Sequence, residues 1–474
     1  MKKWFNLMLA FVLTVSLVGC GNASNTQATA TPEPSATTEI AEPTEIAETT
    51  ETAAASETDY TTGTPWQLID LDGVVTKDTP VDIKDNFALY VNKDKILNIQ
   101  IPEGYSYGGT IMDAVVNNDA DIKNMFVEEN AKSHDAKLAL DFYNLLMDWD
   151  TRNKVGVEPL KQAVDTIEAL DSLDALSSYL GEVPMPEQLQ SILNFGVTED
   201  LVDSSRMIIA IVPSSLLLSD SAEYNTLTEY GKMRKDAYTT LANKMLVKLG
   251  YSEQEAQQKI DHCLEFETML APSISTSEES QKPTHLASIN NHVTRDELIS
   301  ASSNLPLVNT IEKAYGLPVT DDYVIYEPKS IEQLNKSYTE ENLTLIKDYM
   351  IVHGVIRSAD LLDRECYEWN NDASNAISGS SGILDDETAF SSTTASLLSW
   401  PVARLYSETY LKQEDKDRIS AIIDEIIVTY HQILKDADFL SDETKARAIE
   451  KLEAIDKRVL YPDSWENIVM KTLT

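Results

Sequence analysis

The sequence predicts a mainly α-helical protein with a few short strands, and two observations support this. Two amphipathic helices near the C-terminus need other helices to cover them, and helical patterns dominate the chain after about residue 102. The chain has 474 residues, of which 42% are hydrophobic, so it can bury a large core. We therefore expect one large multi-helix lobe, preceded by a signal peptide and a disordered linker.

Residues 1–20 have the features of a bacterial lipoprotein signal peptide. Lys2 and Lys3 precede an uncharged apolar run, Trp4 to Gly19, which is short for a membrane span. The run ends in Leu-Val-Gly-Cys, which resembles a lipobox, and cleavage before Cys20 leaves its thiol for lipidation. Cys20 is therefore the expected lipid anchor, on the extracytoplasmic face of a bacterial cell membrane.

Residues 21–65 are expected to be a disordered acidic linker. They are rich in Thr, Glu, Pro and Ala, and contain eight acidic residues but no Lys or Arg. Such a segment buries too little apolar surface to offset the entropy of ordering, and its charge keeps it extended. We therefore expect the linker to act as a tether that holds the domain of residues 66–474 away from the membrane.

The charge of the chain argues against a nucleic-acid partner. Its 78 acidic and 38 basic residues give a formal net charge of −40, whereas phosphate binding needs a basic surface.

Besides Cys20 the chain has two cysteines, Cys263 and Cys366. Outside the cytosol they can form a disulfide, and two unpaired core thiols are the alternative. The sequence leaves both interpretations open.

Several elements can be placed from spacing and from capping signals. The predicted elements are a helix over 135–150, a buried strand over 205–213, helices capped by Ser252 with Glu255 and by Thr294 with Glu297, a helix that Thr339 begins, and polar loops over 272–283 and 370–385.

The C-terminal part predicts an antiparallel helical hairpin. A long apolar stripe runs from Ile419 to Leu434 with helical spacing, and Ser441 can cap a second helix. The second helix should bury Ala446, Ile449, Leu452 and Ile455 and stop before Pro462. Two amphipathic helices need others to cover them, so we expect the preceding helices to pack on this hairpin.

The hairpin also carries a recurrent motif of the neprilysin and endothelin-converting-enzyme family of zinc metallopeptidases, which the chain resembles. The motif residues are Thr444, Lys445, Ala448, Lys451, Tyr461 and Pro462. A second match, near the start of the family's N-terminal domain, consists of Phe87, Tyr90, Val91, Asn92 and Pro102. The sequence departs from the family pattern at Ala88 and Lys95. The resemblance implies that residues 66–474 are the helical N-terminal domain of such a peptidase.

The resemblance implies zinc in intact family members, bound by HExxH and a later ExxxD. This chain has six histidines, and no two are four residues apart, as two ligands on one helical face must be. Glu368 and Asp372 have ExxxD spacing, but they have no histidine partner, so chance is the better explanation. We therefore expect no catalytic residue, metal ligand or cofactor within this chain, which ends before the position of the family's zinc segment.

Two hypotheses about function follow. In the first, the chain is a lipid-anchored, extracytoplasmic member of this peptidase family that is inactive without a catalytic half encoded elsewhere. In the second, it is a non-catalytic surface lipoprotein that binds peptides or a protein partner.

The resemblance also implies an exposed segment. In the family, the segment that corresponds to residues 87–102 packs on the zinc lobe, so Ile96, Ile99 and Ile101 are expected to be exposed here.

Overall fold

The computed structural model describes residues 69–70, 73–99, 101–183, 188–203, 205–315, 321–380 and 382–465. The segment predicted as a signal peptide, with Cys20, and the whole predicted linker of residues 21–65 lie outside the described residues. Within the described part, no helix is both long and apolar enough to cross a bilayer.

The prediction of a mainly α-helical fold is confirmed. The helices are α1 (Phe87–Asn98), α2 (Thr110–Met125), α3 (His134–Met147), α4 (Trp149–Val155), α5 (Glu158–Glu168), α6 (Leu173–Glu182), α7 (Glu229–Lys248), α8 (Glu253–Leu270), α9 (Ser277–Ser280), α10 (His285–Ser288), α11 (Arg295–Ala301), α12 (Leu307–Tyr315), α13 (Pro328–Ser337), α14 (Leu343–Ser358), α15 (Arg364–Ser378), α16 (Asp386–Leu397), α17 (Ser399–Tyr410), α18 (Gln413–Asp436) and α19 (Asp442–Glu453).

The strands form two small sheets. They are β1 (Ile69–Asp70), β2 (Gly73–Val74), β3 (Asn194–Glu199), β4 (Met207–Val212), β5 (Asn291–Val293) and β6 (Tyr323–Ile325). β1 and β2 pair with each other, and the other four have the order β3-β4-β6-β5. β4 is the predicted buried strand. It is antiparallel to β3 and parallel to β6, with Ile209 opposite Tyr323.

Two hydrophobic cores organise the helices. The larger core contains side chains from α5 to α8, α11 to α15 and the four-stranded sheet. The smaller core lies among α2, α3, α16 and α17, where Phe126 stacks on Tyr143 with ring centroids 4.5 Å apart. α15 joins the two cores, because Cys366 belongs to the larger one and its neighbour Tyr367 to the smaller one.

Local signals in the sequence placed several boundaries correctly. Both predicted capping boxes are present, at the starts of α8 and α11. The loop predicted over 370–385 is wrong for its first half, because α15 continues to Ser378 and ends at Gly379 in the left-handed conformation. The Asn and Ser residues of this segment lie on a helix whose opposite face is apolar, so polar composition gave a false loop signal.

The C-terminal hairpin forms as predicted, with α18 and α19 packed on each other and Ser441 capping α19. The expected cover is absent, however, because neither helix has a buried side chain among the described residues. Ala446 and Ile455 are exposed, and Ile449 and Leu452 are half-buried. The hairpin is attached to the body through α17 and through Trp465, whose ring contacts that of Trp400.

Candidate functional site

The described residues contain two groups of His, Cys and carboxylate side chains that are close enough to share an ion. The groups are Cys263 with Glu267 and His353, and Asp200 with His292 and Asp322. In each group the potential ligand atoms lie within 4.8 Å of one another.

The first group lies in the larger core, where α8 packs against α14. Cys263 and Glu267 are one turn apart on α8, and His353 comes from α14. Glu267 is fully buried. Its carboxylate accepts hydrogen bonds from the Leu217 N–H at 2.8 Å and from the Tyr224 hydroxyl at 2.5 Å. His353 Nε2 lies 2.6 Å from Glu267 Oε1, so both carboxylate oxygens already have partners.

The electrostatics of this group favour a structural role. Burial, followed by the charge of Glu267, raises the pKa of the Cys263 thiol well above its usual value. Because the thiolate is the form that binds metals, a protonated Cys263 is a poor ligand. The same two causes raise the pKa of Tyr224. The group therefore acts as a polar hub that holds Leu217 and Tyr224, which precede α7, against α8 and α14.

The second group lies at one edge of the four-stranded sheet. Asp200 follows β3, Asp322 precedes β6, and His292 lies within β5. His292 Nδ1 is 2.9 Å from Asp322 Oδ1, and its Nε2 is 3.6 Å from Asp200 Oδ1. Arg206 contacts both carboxylates, at 3.2 Å from Asp200 and 2.5 Å from Asp322.

Arg206 supplies the positive charge that a metal ion would bring to this group. Although burial opposes the change, the hydrogen bonds from Arg206 and His292 lower the pKa of Asp322. The carboxylate of Asp200 is buried, and its Oδ1 also accepts hydrogen bonds from the N–H groups of Val202 and Asp203. The arrangement is an ion-pair network that fixes the loop between β3 and β4.

A third charged network connects α5, α8 and α14. His262 Nδ1 lies 2.6 Å from Asp348, and Lys259 Nζ lies 2.8 Å from Asp348 and 2.5 Å from Glu168. Although burial disfavours the ammonium, the hydrogen bonds to Asp348 and Glu168 raise the pKa of Lys259. His262 and Cys263 are consecutive residues of α8, so their side chains point in different directions. His262 contacts Asp348, whereas Cys263 belongs to the hub around Glu267.

None of these donor sets fits a zinc site of the HExxH type. That site needs two imidazoles on one helical face, whereas each group here contains a single histidine whose nitrogen already contacts a carboxylate. Glu368 and Asp372 of the ExxxD-like spacing have different partners. Glu368 pairs with Arg364 at 3.1 Å, and Asp372 lies 4.0 Å from Lys244.

A surface groove of about 580 Å³ lies between α7 and α15. The ammonium groups of Lys244 and Lys248 lie 5.5 and 5.1 Å from the ring centroid of Trp369. The volume is within the range of small-ligand pockets. Its lining combines apolar and charged side chains, namely Glu229, Lys232, Met233, Asp236, Ala237, Thr240, Leu241, Lys244, Trp369, Asp372, Ala373 and Ala376.

The N-terminal family-motif residues lie on or near α1, and most of them face solvent. Phe87, Tyr90 and Val91 are 65%, 53% and 57% exposed. The side chain of Asn92 donates to a carbonyl one turn earlier in α1, and Pro102 is buried. The motif side chains in the first two turns of α1 are therefore exposed, whereas Pro102 is not.

The exposure predicted for the isoleucines of this segment is not found. Ile96, Ile99 and Ile101 are half-buried, and Leu89 is the buried residue of α1. The exposed surface consists instead of the motif side chains of the first two turns.

The C-terminal motif residues stabilise the hairpin internally. The Thr444 N–H donates to the Ser441 hydroxyl at 3.2 Å, and Lys445 donates to the Lys435 carbonyl at the end of α18 at 3.1 Å. These contacts fix the turn between α18 and α19.

Tyr461 ties the end of the hairpin to the first turn of α18. Its carbonyl accepts a hydrogen bond from Lys416 at 2.9 Å, and the Lys416 ammonium lies 4.7 Å from its ring centroid. The remaining motif residues lie on α19 or after it, and they are Ala448, Lys451 and Pro462.

Cys263 and Cys366 are both buried, free thiols. This arrangement corresponds to the second of the two interpretations that the sequence left open. Burial, followed by the hydrogen bond to Asp363, raises the pKa of Cys366 to about 12.

The hub around Glu267 was not foreseen from the sequence, although a signal for it exists. Glu267 lies on the apolar face of α8, between Cys263 and Leu270, with Ile260 two turns before it. A carboxylate on a buried stripe must find donors, so this position predicts a polar cluster.

Comparison with known proteins matches residues 83–462 to the model of peptidase family M13. Neutral endopeptidase of Lactococcus lactis is 23% identical over 396 residues, which cover 83% of this chain and 62% of that protein. Human endothelin-converting enzyme 1 is 23% identical over 397 residues, covering 81% of this chain and 51% of the enzyme.

Solved structures have the same fold. PepO from Lactobacillus rhamnosis has a TM-score of 0.71 at 18% identity, covering 79% of this chain and 59% of that one. Inhibitor-bound zinc metalloprotease Zmp1 of Mycobacterium tuberculosis has a TM-score of 0.68 at 19% identity, covering 81% and 58%. The chain thus spans roughly three fifths or less of each of these relatives. By its match over residues 83–462, this chain belongs to peptidase family M13.

Proposed function

We propose that this chain supplies the helical lobe of a lipid-anchored, extracytoplasmic M13 zinc endopeptidase, and that it does not cleave peptides by itself. One observation carries the proposal: the chain belongs to M13, yet each of the two candidate ligand groups among its described residues has one histidine, which already contacts a carboxylate. Hydrolysis then requires a zinc-binding segment, either continuous with this chain or separately encoded. The helical lobe allows only small peptides to reach the catalytic site.

The location on the membrane is part of the same proposal. It rests on the charged, apolar and lipobox segments that end at Cys20. A lipid on Cys20 and the acidic linker would place the helical lobe outside the cytoplasm, where the peptide substrates of such an enzyme would be found.

The test is metal content and peptide hydrolysis, measured on the chain alone and with a zinc-binding M13 segment added. We expect the chain alone to hold no stoichiometric zinc and to leave a fluorogenic peptide uncut. Addition of the segment should produce hydrolysis that a chelator stops. Chelator-sensitive cleavage by the chain alone, with one zinc per chain, would contradict the proposal.

The second candidate is a non-catalytic surface lipoprotein that binds peptides or a protein partner. The groove between α7 and α15, with Trp369 on its wall, favours this function. Peptide binding that Trp369→Ala weakens, together with no hydrolysis even when the zinc-binding segment is present, would support this candidate over the first.

A further inference from the structure

We draw no further inference here: the strongest candidate, the surface groove of about 580 Å³ between α7 and α15, belongs to the peptide-binding function already considered, and because its two lysines, Lys232 and Lys244, already lie within 4.0 Å of carboxylates of the same groove, nothing in the structure shows which ligand fills it.

Discussion

His353 Nε2 lies 2.6 Å from Glu267 Oε1, which joins α14 to a carboxylate on α8 that solvent does not reach. The same carboxylate accepts from Leu217 and Tyr224, so three chain segments meet at one buried charge. Loss of such a charge leaves several donors without a partner, which costs more than the loss of an average hydrogen bond. The stability of the larger core should therefore depend strongly on this residue.

The first prediction is that Glu267→Ala lowers the free energy of unfolding by about 3–5 kcal/mol. Glu267→Gln should cost less, because the amide keeps one acceptor oxygen. Urea unfolding followed by circular dichroism measures the change. Glu265→Gln, two residues earlier on the exposed side of α8, is the control and should change the free energy by less than about 0.5 kcal/mol. Equal effects at both positions would show that the hub is unimportant.

The second prediction concerns the ion pair of Lys248 with Asp363 at the start of α15, where the two groups are 2.8 Å apart. Although burial opposes the change, the hydrogen bonds to Asp363 and Glu365 raise the pKa of Lys248 to about 12. Its contribution to stability is therefore fully present below the unfolded value of about 10.5 and is lost as the pH rises through 12. The pKa of Asp363 is lowered despite burial, so its contribution is present above about pH 4 and is lost at lower pH.

Lys248→Met should accordingly lower the free energy of unfolding by about 1–2 kcal/mol between pH 5 and 10, with the difference shrinking toward both extremes. Denaturant unfolding at a series of pH values tests this. Lys232→Met, which removes an exposed pair within one helix, should have little effect at any pH. A difference that does not depend on pH would mean that Lys248 acts through packing alone.

The third prediction is that Cys263 and Cys366 react with a maleimide only when the chain unfolds. Both thiols are buried, and burial raises the pKa of each, so neither presents a thiolate to the reagent. Mass spectrometry of residues 21–474 should find no label in native buffer and two labels in denaturant. No label in denaturant until a reductant is added would show the disulfide instead.

Features that depend on neighbouring residues could be predicted from the sequence, whereas contacts between distant segments could not. Ser252 with Glu255 and Ser441 with Thr444 follow from local rules, because a cap depends on three or four consecutive residues. The partners of Glu267 could not be predicted, since they come from segments 50 and 86 residues away. The prediction that other helices pack on Ile422 and Ile426 was wrong for a related reason. Helical spacing shows that a face is apolar, but it does not show which surface packs on it.

The fourth prediction is that Cys20 anchors the protein. Cells that produce the chain should incorporate labelled fatty acid into it, and Cys20→Ser should abolish the label and move the protein out of the membrane fraction. Cys366→Ser is the control for general cysteine labelling and should retain the lipid. A Cys20→Ser protein that stays in the membrane fraction would show that lipidation is not the anchor.

The last prediction separates stability from association on α1. Leu89 is buried, and Leu89→Ala should lower the free energy of unfolding by about 2–3 kcal/mol. Phe87 is 65% exposed, so Phe87→Ser should leave the stability of the chain within about 0.5 kcal/mol. If the exposed motif side chains contact the zinc-binding segment, Phe87→Ser should nevertheless weaken its binding about tenfold or more in a calorimetric titration. Val127→Ser, at another exposed apolar position outside the motif, should leave this binding unchanged. Equal binding by Phe87→Ser and the unmodified chain would exclude α1 from that interface, and the exposed aromatic residues would then need a different partner.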